Sequence, residues 1–161
     1  MVGKYLGLVA VLTVLVMIMT VIYVVFLQFG QIEYQSPSII MAGIFVVLQL
    51  CLISAVAMTL GIVFNSLLAT PLTLGVYLVG NITQDILKFG RLSNNPAFES
   101  FSQGLYVVLP DLSRLDIKND AVYGWQALPD VSALISNGLY GIFYSGMLMA
   151  IAIFIFSQRE F

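Results

Sequence analysis

Asn81, Gln84, Asp85 and Lys88 recur at i, i+3, i+4 and i+7 inside an apolar run, so a helix there carries them as one polar stripe. An ionisable group in a membrane span costs at least ~2.5–3.5 kcal/mol at the bilayer centre and less near the ends. Two chemistries are open to such a stripe. It can line a substrate path or a proton relay, with Gln49 of the preceding apolar run as a further contributor. It can also serve hydrogen bonding between helices, with Asp85 and Lys88 as a local i, i+3 pair near the interface. The candidate pathway residues are Gln49, Asn81, Gln84 and Asp85. On the pathway reading, Asp85→Asn alters transport with little loss of folded protein.

A second concentration of ions lies in "YVVLPDLSRLDIKNDAVYG", residues 106–124, where Asp111, Arg114, Asp116, Lys118 and Asp120 fall within ten positions of a chain only 9% charged. Leu105, Val108, Leu109, Leu112 and Leu115 follow i, i+3, i+4, i+7 and i+10, one helical face, and Pro110 breaks or restarts that helix. An amphipathic helical segment at the membrane interface, or capping the helix bundle, accounts for both the ions and the leucines. A plain polar connector is the alternative.

Several chemistries are excluded. The chain has no histidine, which removes His-based acid–base catalysis, His-ligated zinc and haem held by an axial histidine. The lone Cys51 sits in an apolar run and reads as a packed side chain. "VGKYLG" contains a Gly-Lys pair, but no glycine stands five residues before Gly3 and no strand precedes it, so it is not a phosphate-binding loop. Neither a paired-carboxylate arrangement nor a nucleophile with its base is present, and an enzyme, a metal site and a bound cofactor are not expected. A net charge of −2 with no basic run excludes a nucleic-acid partner.

The elements that must position these residues follow from composition. The 161 residues are 60% hydrophobic, with a mean hydropathy of +1.02. A soluble domain is about 45–50% apolar and about a quarter charged, so the expected class is an all-α integral membrane protein with the lipid bilayer as its solvent. Apolar runs at about 5–29, 38–64, 67–89 and 133–156 are long enough for four transmembrane helices in one domain covering 1–161. Pro37 stands at the start of the second. The first run is too long for a signal-peptide core and no small-x-small cleavage site follows it. Residues 30–36 and "NSLLATP" (65–71) are short links that force antiparallel neighbours, whereas 90–132 form a long polar segment before the last span. Gly75, Gly80, Gly138, Gly141 and Ser145 allow close helix approach. A bare positive-inside count, Lys4 and Arg159 against Lys88, Arg91, Arg114 and Lys118, would put 90–132 in the cytoplasm, but the acids and length of that segment weaken the rule, and composition alone leaves the orientation undecided.

Four features in order, "GKYLGL" (3–8), "NSLLATPL" (65–72), "LPDLSRLDIKNDAVYG" (109–124) and "FSQREF" (156–161), resemble the C-terminal part of a bacterial type-2 ABC transporter permease subunit. The likeness covers nearly the whole chain. It implies a multi-pass protein of the bacterial inner membrane with cytoplasmic termini, with 65–71 facing an ATP-binding cassette subunit and 97–120 as an extracytoplasmic helical element shielding the outer end of a pathway. It further implies a second permease copy or homologue as partner. Such permeases usually have six spans, so the first two and their coupling helix are expected to be missing before Met1, as from a truncated reading frame or a fragment. The expected function is the membrane subunit of an ABC transporter, an exporter, with ATP hydrolysis on the partner. A non-transporting four-span scaffold or assembly factor is the alternative, and a proton-coupled carrier using Asp85 is a third reading.

Overall fold

A computed structural model describes residues 2–31, 36–92 and 96–159. Every described element is helical: α1 (Val2–Phe29), α2 (Ser36–Val63), α3 (Ser66–Leu92), α4 (Pro96–Val108), α5 (Lys118–Val122) and α6 (Val131–Arg159). Two 3-10 turns, Leu112–Leu115 and Trp125–Ala127, flank α5. The long apolar runs become helices because a helix satisfies its own backbone without water. Among the described residues three are long and apolar enough to cross a membrane: Val2–Phe29, Pro37–Val63 and Val131–Gln158. The third expected span also folds as one 27-residue helix but is not among these three. Its link to α2 is tighter than residues 65–71: the helix starts at Ser66 and takes in Pro71, with the Asn65 carbonyl accepting from Leu68 and Ala69.

α2 is the hub, packing against α1, α3, α5, α6 and the first 3-10 turn. Against α6 the contact runs along Leu48, Gly138 and Gly141, while Thr59 Oγ1 donates to the Leu148 carbonyl at 3.3 Å. α1 buries no residue; besides its packing on α2, it donates a Tyr5 hydroxyl hydrogen bond to the Cys51 carbonyl at 3.0 Å.

More than half of the buried residues in the main apolar cluster come from the segment that composition reads as polar. Phe45, Leu52 and Val56 of α2 meet Leu112, Leu115, Ile117, Ala121 and Leu128, and Leu112 and Leu115 have no exposed surface. The expected leucine face is not one continuous helix. α4 ends at Val108, ahead of Pro110, and Leu112 and Leu115 are carried inward by a 3-10 turn. Gly80 lies twelve residues before the end of α3, and Tyr140 nine residues into α6. The 109–117 turn that touches both therefore reaches roughly 13–18 Å below the helix ends at 1.5 Å per residue.

That approach depends on Gly80, where a Cβ would lie 2.8 Å from the Pro110 carbonyl oxygen and 2.9 Å from a Leu112 methyl carbon. The carbonyl is backbone and cannot swing away, so Gly80→Ala should destabilise by roughly 1–3 kcal/mol. Gly75 on the same helix has open space, and Gly75→Ala should leave stability unchanged or slightly raised. Thermal unfolding of the two variants in detergent checks the difference.

Candidate functional site

The polar residues of the bundle meet where the 109–117 turn enters it. Asp111, 2% exposed, accepts through Oδ2 from Gln84 Nε2 of α3 at 3.2 Å and from Arg114 Nε at 3.0 Å. Its Oδ1 accepts from Ser113 Oγ at 2.5 Å, and its backbone N–H donates to the Tyr140 hydroxyl of α6 at 2.8 Å. One residue thus ties the turn to two helices. The Arg114 guanidinium carbon lies 5.2 Å from the centroid of Tyr140 and 5.8 Å from that of Tyr106, whose hydroxyl accepts a further bond from it. Burial works against the Arg114 charge, but Asp111 and Tyr106 outweigh it and raise its pKa above the ordinary arginine value.

The four candidate pathway residues separate. Gln49, buried on α2, donates through Nε2 to Asn81 Oδ1 at 3.1 Å, and Asn81 Nδ2 donates to the Tyr77 carbonyl one turn back. Gln84 joins Asp111. Asp85 joins neither: its carboxylate lies 3.6 Å from Lys88 Nζ, with both side chains about two-thirds exposed. The stripe is therefore split between a side facing α2 and the turn, and an open side carrying one ion pair.

Below the Gln49–Asn81 pair, toward the link, an open groove of about 620 Å³ lies along α2 and α3, lined by Ile53, Ala57, Gly61, Ala69, Thr73 and Tyr77, among others. Tyr77 borders both the groove and Asn81. At the level of the pair Pro110 and Leu112 press on Gly80, Leu109 and Pro110 border Val56, Leu60 and Val76 below it, and above it Gln84 donates to Asp111 and Ser38 to the Ala121 carbonyl. The groove is consequently open on one face of the α2–α3 pair, bounded at its upper end by the Gln49–Asn81 bond, while the 109–117 turn covers another face from Val76 and Leu60 up to Gln84. Among the described residues no three His, Cys, Asp or Glu side chains are placed to hold a metal ion.

Sequence reasoning missed Asp111 as the centre of the cluster and Tyr140 altogether. The signal for Asp111 was its position between Pro110 and two leucines at i+1 and i+4, which draw the turn inward; nothing local marks Tyr140 as its partner. No family model, curated protein or solved structure matches the chain.

Removing a buried acceptor leaves its donors without partners, a loss of about 1–3 kcal/mol. Asp111→Ala should lower stability by that order, whereas Asp85→Ala, on the exposed side, should change it by less than ~0.5 kcal/mol. Denaturation midpoints of the two variants under identical detergent conditions provide the check.

Proposed function

We propose that the chain is a membrane subunit of a transporter of the ABC class, driven by a separate ATP-hydrolysing subunit. The observation that carries this reading is the asymmetry of the α2–α3 seam, a groove open on one face and ended by the Gln49–Asn81 bond, with the 109–117 turn covering another face. A pathway that opens to alternate faces needs such a one-sided closure, together with contacts few enough to break as the helices rock. Gln49, Asn81 and Gln84 are then the middle of the path. Asp85, on the open side of α3, faces the direction from which a second copy would approach. On this reading the ends of α1 and α6 that carry Lys4 and Arg159 are cytoplasmic, and α4, α5 and the 3-10 turns are extracytoplasmic.

Purification from the native membrane in mild detergent, followed by mass spectrometry of what accompanies the chain, tests the proposal. The expected result is a co-purifying subunit with a phosphate-binding loop, whose ATPase activity falls when the two are separated. Recovery of the chain alone, or with only non-ATPase membrane proteins, would favour a scaffold. Within a working complex, Gln49→Leu should slow transport at unchanged expression, and transport rates in vesicles measure it.

A further inference from the structure

α1 and α2 cross where Thr20 meets Gly43: a Cβ on Gly43 would sit 3.1 Å from Thr20 Oγ1. Val16, Thr20 and Gly43 border both of the grooves that flank this crossing. The two have similar volumes, about 480 and 450 Å³, within the ~300–1,000 Å³ that holds a ligand-sized group. Their ends differ. The smaller is walled only by α1 and α2, with Thr13 and Thr20 as its polar side chains. The larger runs beside Leu15–Tyr23 of α1 and Ile39–Val46 of α2, and α5 closes it with Lys118, Asn119, Ala121 and Val122. α5 is fixed there because Ser38 Oγ, near the start of α2, donates to the Ala121 carbonyl at 2.9 Å.

We infer that this larger groove is a binding site for one membrane phospholipid, with an acyl chain along the α1–α2 seam and the phosphate at Lys118 Nζ and the Asn119 amide. The groove lies lengthwise on two helices that are apolar and long enough to cross a membrane, so it is aligned with lipid chains. The single cationic side chain among its lining residues is on α5, which Ser38 holds near the start of α2, toward the end of the span where headgroups would lie. Lys118 is half-exposed, and among the described residues its ion pair is a 3.5 Å contact with the partly exposed Asp116, weak enough to be shared with or exchanged for a phosphate. A polypeptide helix is a poorer fit, because it would set its own apolar surface against Lys118 and Asn119.

The test is native mass spectrometry of the full chain extracted in mild detergent, with retained lipids counted and identified. The wild type should keep one phospholipid per chain. One lysine near a headgroup changes membrane-surface affinity by about fivefold, so Lys118→Gln should lower the retained fraction by roughly that factor with helicity unchanged. Ala42→Phe should fill the groove and abolish retention, while Val47→Phe, in the opposite groove, should leave it intact. Equal retention in wild type, Lys118→Gln and Ala42→Phe would overturn the assignment, as would the absence of any retained phospholipid or a second protein chain held in its place. Lys118→Gln alters only an exposed end, so the comparison survives if Ala42→Phe does not fold.

Discussion

A carboxylate buried in an apolar bundle must be met by donors, and the arrangement around Asp111 answers that requirement. Burying a charge without partners costs far more than any single packing contact returns. Here Gln84, Ser113 and Arg114 all donate to one side chain. Because Gln84 belongs to α3, and the backbone N–H of Asp111 reaches Tyr140 of α6, satisfying this one residue fixes where the turn lies relative to two helices. The leucines supply most of the favourable burial, but they would accept many depths. The hydrogen bonds accept few.

Irregular backbone below the ends of apolar helices is tolerated only where protein or water satisfies it. Several bonds do so along the descending and returning chain: Leu109 N–H to the Leu105 carbonyl, Asp116 N–H to the Ser113 carbonyl, and Ala121 N–H to the Ile117 carbonyl. Gly80 then lets α3 accept the Pro110 carbonyl at close range. In α2, Phe45, Leu52 and Val56 meet this returning chain while Gln49 turns to Asn81. The hub helix therefore serves as apolar floor for the turn and as polar partner for α3.

How much of this was legible depended on how local the cause was. Helices α1, α2 and α6 follow from unbroken apolar runs, and their ends fall within a few residues of the expected ones. The polar stripe of α3 was visible because i, i+3, i+4 spacing is a property of one helix. Its partition was not, because it depends on which neighbours lie on either side: Gln84 meets Asp111, 27 positions later, and Asp85 lies on the exposed side, paired with Lys88. The stretch 106–124 was legible as unusual but not as core. A carboxylate two positions from a serine and three from an arginine looks the same in sequence whether solvated or buried. Only the chain's return to α2 decides between them.

The distances in sequence between these partners have a consequence for how the protein is made. Gln49 waits 32 residues for Asn81, and Ser38 waits 83 for Ala121. During synthesis α2 therefore enters the bilayer before its polar partners exist, and Phe45 and Leu52 can rest against lipid while Gln49 cannot do so without loss. The hairpin with α3 relieves that first. The turn at 109–117 follows once its own residues, and Tyr140 of α6, have been delivered. Assembly thus proceeds in two stages, helices first and then an inward fold of the connecting chain, and a ribosome stalled before residue 140 would leave the turn without its α6 anchor.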